Sequence, residues 1–268
     1  MTINLVKSIY HLLWEDAVNR NAVTNGCGSS NVVDSIYKKI AWRTVPLLML
    51  CYIVAYLDRV NIGFAKLQMS GDLNLDDAAF ALGASIFFWG YMLFEFPSNL
   101  LLQRLGARFW IARIMVSWGI VSAMIAFTGP IASFLGIQNA TVFYTLRLLL
   151  GICEAGFFHG VVLYVNQWFP VHRQGRIFAG FLLALPTSLI IGSPLSGALL
   201  HVSHGWMGLQ GWQWMIVIEA VPALILGVVV WMRLSSTPET ASFLTNRERE
   251  IVLSDLAVKD DKKPKHIS

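Results

Sequence analysis

VPLLMLCYIVAYLDRVNIGFA, residues 45–65, decides how this chain is built. About 20 residues rising about 1.5 Å each match a hydrocarbon core of roughly 30 Å, so the stretch can cross a bilayer as one helix. Its last third carries Asp58, Arg59 and Asn61. A charge at membrane depth costs about 2.5 kcal/mol or more, and such residues persist where they face a partner or a water-filled cavity. Two readings are open. Either the helix continues through the charges, which then form a functional site, or it ends near Leu57 and the Asp58–Arg59 pair lies among the headgroups.

The whole chain supports a membrane environment. Of its 268 residues 56% are hydrophobic and only 13% are charged, against about 25% charged in soluble domains. The expected class is an all-α integral membrane protein. The net charge of +4 does not indicate nucleic acid, because the basic residues are spread over short loops. Cys27, Cys51 and Cys153 make no disulfide framework, and Cys51 and Cys153 fall in apolar stretches where a thiol behaves as a small hydrophobe. No metal-ligand spacing is present and no cofactor is expected.

Residues 1–37 form an N-terminal extension, flexible or lying at the interface. Ile3, Leu5, Val6, Ile9, Tyr10, Leu12, Leu13 and Trp14 give one apolar face if helical, whereas residues 21–31, NAVTNGCGSSN, read as linker. A long apolar core and a small-residue cleavage site are both missing, so this is not a secretory signal. Residues 38–234 hold six spans, the first around 45–65 and the others near 79–102, 109–128, 141–168, 177–200 and 212–234. The pattern GSPLSG at 192–197 predicts a bend in the fifth, and GFFHG at 156–160 predicts close packing of the fourth. Residues 235–268 form a polar tail, with a capping box at Thr245 and Glu248 and a disordered end from Lys259 to Ser268. Tryptophans 42, 110, 168, 206 and 212, near span ends, fit an interfacial belt.

Lysine and arginine set the orientation. One set of connections carries Lys38, Lys39, Arg43, Arg104, Arg108, Arg113, Arg173, Arg176, Arg233, Arg247 and Arg249, and the opposite set only Lys66. The positive-inside rule then places both termini in the cytoplasm.

Ionisable residues inside the spans are few: Asp58 and Arg59 in the first, Glu95 in the second, Arg147 and Glu154 in the fourth, Glu219 in the sixth. Arg147, Gly151 and Glu154, at i, i+4 and i+7, share one helical face. The first helix of each three-helix block therefore carries one acid and one base, as in transporters built from three-helix repeats that place coupling groups near the midplane. Arginine binds carboxylates in a fork, and an anion competing for that arginine changes the proton affinity of a neighbouring acid. The competing expectation is four residues that only neutralise one another between helices. His159 points away from Glu154 and is expected to pack or hydrogen-bond rather than relay protons. Ser193 and His201 are too weak a pair to support an intramembrane protease.

At AYLDRVNIGFA the sequence resembles the anion:cation symporter branch of the major facilitator superfamily. FEFPSNLLLQRLGARFWIARIMVSWG, LRLLLGICEAGFF, NQWFP with RQGR, GSPLSGALL and GWQWMIVIEAVPA extend the likeness over residues 34–256, in the manner of permeases for tartrate, phthalate and hydroxyphenylacetate. The resemblance implies proton symport of a small carboxylate across the inner membrane. It implies proton-coupling roles for Asp58 and Glu154, anion binding by Arg59 and Arg147, and tyrosines 56 and 91 near the anion. It also implies a cytoplasmic gate of Glu95, Arg104, Gly106 and Arg108, although Asn99, Gln103 and Ala107 depart from the superfamily's loop signature there. Leu185 falls where sugar-acid permeases carry a polar contact, which argues against a highly hydroxylated substrate. Superfamily members have twelve helices, so six imply the N-terminal half, with the tail as the start of the central linker, incomplete without a separate C-terminal half or another copy. The rival expectation is a non-transporting membrane protein that binds a partner or a full-length transporter, or an inactive remnant; an enzyme is the most distant reading.

Overall fold

The computed structural model describes residues 29–202 and 205–261. Expectations for residues 1–28, Cys27 among them, and for residues 262–268 lie outside the described residues, as does the side chain of Trp206. Among the described residues the regular structure is helical. In chain order the helices are α1 (Ser29–Asp72), α2 (Asp77–Leu105), α3 (Ala107–Ile125), α4 (Thr128–Leu135), α5 (Asn139–Glu154), α6 (Phe157–Trp168), α7 (Val171–Leu182), α8 (Ala184–Val202), α9 (Gly211–Arg233) and α10 (Asn246–Asp261). Six segments are long and apolar enough to cross a membrane: α1, α2, α3, α5 with α6, α7 with α8, and α9.

The first helix runs through the charges. It does not stop at Leu57 but continues to Asp72, fifteen residues past the position where a headgroup-level end would fall. It begins at Ser29, upstream of the expected residue 38, so the end of the NAVTNGCGSSN stretch is already helical. At about 1.5 Å per residue its 44 residues reach about 66 Å, twice the hydrocarbon thickness. One end therefore stands clear of the apolar zone.

Two spans are broken, each for a local reason. α5 stops at Glu154 because Ala155 turns extended (φ −55°, ψ 132°) and Gly156 takes a left-handed φ of +84°. The fifth span breaks at Leu183, between α7 and α8. The cause is Pro186, which has no N–H to give the carbonyl one turn back. At GSPLSG, where a bend is expected, Pro194 sits inside α8, which continues through it.

The bundle closes by pairing α2 with α5, α3 with α9, and α1 with α8 and α9. Large rings fill the centre, with Trp118, Trp168, Trp212, Tyr164 and Phe143 fully buried. For three of its members this corrects the tryptophan belt, whereas Trp42 is exposed. Trp110, Trp168 and Trp212 are buried in the bundle, and two of them donate inside it: Trp110 Nε1 to Ser98 Oγ at 2.9 Å and Trp212 Nε1 to Asp72 Oδ2 at 2.6 Å. An indole near a span end satisfies its N–H from a neighbouring helix as readily as from headgroups.

The tail is docked against the bundle. Phe243 stacks on Trp168 with centroids 5.9 Å apart, Arg43 lies over the Phe243 ring, and Val252 and Leu244 are buried. Lys39 Nζ meets Glu248 Oε2 at 3.0 Å and Tyr37 Oη donates to Asp255 Oδ2 at 2.8 Å. The expected capping box is present: the Thr245 backbone N–H donates to Glu248 Oε2 at 2.8 Å, and the Glu248 N–H to Thr245 Oγ1 at 3.3 Å. Disorder from Lys259 does not hold for its first residues, because α10 runs to Asp261.

The Thr245 backbone N–H, followed by Lys39, holds the Glu248 carboxyl below the ordinary glutamate range. A depressed folded value stabilises docking fully above the free value of about 4.3, and the contribution is lost as pH falls through the lowered one. Thr245→Ala removes the cap, at about 1 kcal/mol. Amide hydrogen exchange across residues 246–257 should then speed up about fivefold at neutral pH. Unchanged exchange would mean that the stacked rings alone hold the tail.

Candidate functional site

Asp58 and Arg59 are adjacent in sequence, so their side chains leave α1 about 100° apart and reach different neighbours. Asp58 turns to α3 and is buried. Its Oδ2 accepts from Trp118 Nε1 at 2.8 Å and its Oδ1 from Ser122 Oγ at 2.6 Å. Arg59 turns to the end of α5, where Nε and Nη2 lie 2.8 and 2.6 Å from Glu154 Oε1. Glu154 is 1% exposed and its second oxygen, Oε2, has no hydrogen-bond partner among the described residues.

Aromatic rings frame the arginine. The Arg59 guanidinium carbon lies 5.5 Å from the Tyr56 ring centroid, 5.3 Å from Tyr91 and 5.8 Å from Phe87. Beside this pair opens a cavity of about 310 Å³, lined by Tyr52, Ala55, Tyr56, Arg59, Tyr91, Glu154, Phe157, Phe158 and Leu182. A charge-assisted pair at the wall of a mostly apolar hollow can exchange one partner carboxylate for another at little cost in geometry.

The expected residues divide on this geometry. Arg59, Glu154, Tyr56 and Tyr91 come together at the cavity. Asp58 sits behind them against α3. Arg147 is buried but is not among the lining residues: its Nε reaches the Gly83 carbonyl oxygen at 3.4 Å, and its guanidinium lies over Phe87 at 4.9 Å. The gate residues scatter as well. Glu95 pairs with His159, Oε1 to Nδ1 at 3.2 Å, and not with Arg104. His159 thus takes the polar one of the two roles expected of it. Arg108 Nε donates to the Trp231 carbonyl oxygen at 2.8 Å, closing the end of α9. Gly106, at φ +84°, forms the corner between α2 and α3. Ser193 donates to the Leu189 carbonyl within its own helix, as an ordinary helical serine does.

Trp118, Ser122 and Tyr52 were not singled out by sequence. A signal existed for the first two. Trp118 lies in mid-span, where an indole N–H needs an acceptor, and Ser122 follows it by four residues on the same face.

A six-span helical bundle with arginine–carboxylate chemistry at its centre defines a secondary-transporter class of fold. Residues 48–265 match the Major Facilitator Superfamily model, and the chain belongs to that family. It is 52% identical over 225 residues to a provisionally named tartrate transporter of Agrobacterium vitis, covering 84% of this chain and 48% of that protein. It is 45% identical over 240 residues to a provisionally named metabolite transport protein, NicT, of Pseudomonas putida, covering 90% of this chain and 53% of that protein. The inner membrane transport protein RhmT of Escherichia coli is 41% identical over 235 residues, covering 88% of this chain and 52% of that protein. The chain spans about half the length of these curated relatives. Among solved structures, a bacterial homologue of the human lysosomal transporter Spinster, inward-facing and occupied, superposes with a TM-score of 0.63 at 16% identity, over 80% of this chain and 47% of that one. That likeness concerns the fold.

Proposed function

We propose that this chain is the N-terminal six-helix half of a proton-coupled transporter for a small organic anion in the inner membrane, with both termini cytoplasmic. The observation that carries the reading is the Arg59–Glu154 ion pair at the wall of an aromatic cavity of about 310 Å³. A proton on Glu154 removes the charge that holds the guanidinium. The freed fork then takes a substrate carboxylate, with Tyr56 and Tyr91 beside it. Return of the proton to the cytoplasm restores the pair and expels the anion. Asp58 is the second proton carrier, on the far side of α1. Arg147 supplies a second buried cation on the face it shares with Glu154. The relatives named for tartrate support a hydroxylated dicarboxylate or similar carboxylate. Glu95, Arg104, Gly106 and Arg108 remain the proposed gate at the basic end.

The test is made in a twelve-helix chimera joining this chain to the second half of the A. vitis relative. Asp58→Asn and Glu154→Gln mimic the protonated acids. Each variant should exchange labelled tartrate across vesicle membranes at close to the parental rate, yet accumulate none under an inward proton gradient. Proton-driven accumulation that survives in both single variants and in the double variant rules the assignment out.

A further inference from the structure

A second polar cluster lies where α1, α8 and α9 meet, outside the residues that line the arginine cavity. It consists of Asn61, Ser196 and Glu219, at 2%, 0% and 2% exposure. Among the described residues no cation lies within ion-pair distance of Glu219. An ionised carboxylate buried without a cation is strongly disfavoured unless several donors surround it. Here the donors can be counted. Ser196 Oγ lies 2.9 Å from Glu219 Oε1 and 3.2 Å from Asn61 Oδ1. A hydroxyl has one proton and two lone pairs, so Ser196 can donate to only one of these two acceptors. Three oxygens in a row with one proton between them are one proton short.

We propose that Glu219 is a proton-binding site, occupied at neutral pH, in which the carboxylic acid donates to Ser196 Oγ and Ser196 donates to Asn61 Oδ1. This relay gives every contact in the row a donor and an acceptor. Turning the Asn61 amide over would free the serine proton for Glu219. It would also bury a charged carboxylate holding one hydrogen bond and no cation, and deprive Asn61 Oδ1 of its donor. Glu219 Oε2 and Asn61 Nδ2 are already without partners, and an unpartnered neutral oxygen is far cheaper to bury than an unpartnered anion.

The site is linked to the proposed coupling machinery by position. Asn61 follows Asp58 by three residues, one turn along α1. Of the other ionisable groups on the helices packed here, Arg59 is turned to Glu154, Lys66 pairs with Asp77, Asp72 accepts from Trp212, Arg113 stacks on Trp110, Arg108 donates to the Trp231 carbonyl oxygen, and Lys38, Lys39, Arg43, His201 and Arg233 lie towards the helix ends. Asp58 is thus the acid through which Glu219 senses the transport cycle. While Asp58 is ionised its charge opposes a second anion one turn away, and Glu219 keeps its proton. When Asp58 is loaded that opposition disappears. This role rests on the transport reading; occupancy of the site does not.

Occupancy is read directly on the 268-residue chain in lipid. At pH 7 its infrared spectrum should contain the C=O stretch of a protonated carboxyl that disappears in Glu219→Gln and persists in Asp58→Asn and Glu154→Gln. Glutamine has the shape of the protonated acid, so folding should be retained. As a second measurement that keeps Glu219, Ser196→Ala removes the acceptor of the carboxyl proton and should shift the same band to higher frequency. A spectrum unchanged by Glu219→Gln, or a carboxyl band unmoved by Ser196→Ala, overturns the proposal. No transport is measured, so failure here is distinguishable from failure of the transport reading.

Discussion

Arg59→Ala should weaken organic-anion binding about 100-fold or more in the twelve-helix chimera. The guanidinium offers a carboxylate two charge-assisted hydrogen bonds, each worth about 1.5–3 kcal/mol when desolvated, and 1.4 kcal/mol is tenfold in affinity. Lysine restores the charge without the fork and should recover only part of the loss. A complication comes from the ion pair itself. Without Arg59, Glu154 is a buried acid with no partner, and removing one member of a buried pair costs about 3 kcal/mol or more. The 32% exposure of the arginine side chain places the cost at the lower end of that range. Arg59→Ala combined with Glu154→Gln separates the two effects: it should recover expression and thermal stability while binding stays lost. Isothermal titration with tartrate on purified protein measures both forms. Parental affinity in Arg59→Ala would mean that the arginine serves only to pair within the bundle.

The second large effect concerns the α2–α5 contact that holds Tyr91 over Arg59. A methyl group placed on Gly151 would lie 2.1 Å from the Phe87 carbonyl oxygen and 2.9 Å from the Tyr91 nitrogen. Both atoms are backbone, so no side chain can swing aside. The same closeness recurs one turn along, where a methyl on Gly90 would lie 2.6 Å from the Leu148 carbonyl oxygen. Gly151→Ala must therefore drive the two helices apart, and overpacking of this kind costs about 3 kcal/mol. The expected result is a fall of several degrees in the unfolding midpoint in detergent, with reduced anion binding as Tyr91 moves away from the site. Gly63→Ala is the control, since a methyl there meets nothing within 4 Å. Equal midpoints for the two variants would show that the helices already have slack at this crossing.

Much of this architecture was legible in the sequence because a bilayer allows few solutions. Apolar runs of about 20 residues must be helices, and a charge inside one must find a partner. That logic led to Asp58, Arg59 and Glu154 before any coordinates. It could not say which acid meets which base. Asp58 and Arg59 divide between α3 and α5 because adjacent helical residues diverge, and their partners are 60 and 95 positions away in the chain. Arg147 and Glu154 do share one face of α5. A shared face does not say what the guanidinium itself reaches, and here Nε lies at the Gly83 carbonyl oxygen of α2. The break in the fifth span shows a limit of motif reading. Pro194 with its flanking glycines is the conspicuous motif, whereas the helical run is interrupted at Leu183, three residues before Pro186.

The break between α5 and α6 leaves an open backbone carbonyl at Ala155 in the middle of a span, and a side chain from another helix fills it. Ser98 Oγ donates to that oxygen at 2.6 Å, and a methyl on Gly156 would lie only 2.1 Å from the same hydroxyl. The joint behaves like a dowel: α2 cannot slide or swing relative to α5 and α6 without exposing a bare peptide group to lipid. Separating α2 from α5 and α6 at this point therefore costs a buried hydrogen bond as well as packing. Across the boundary with α1 the contact is instead the Arg59–Glu154 ion pair, which a proton on the acid would loosen while the Ser98 joint stays whole.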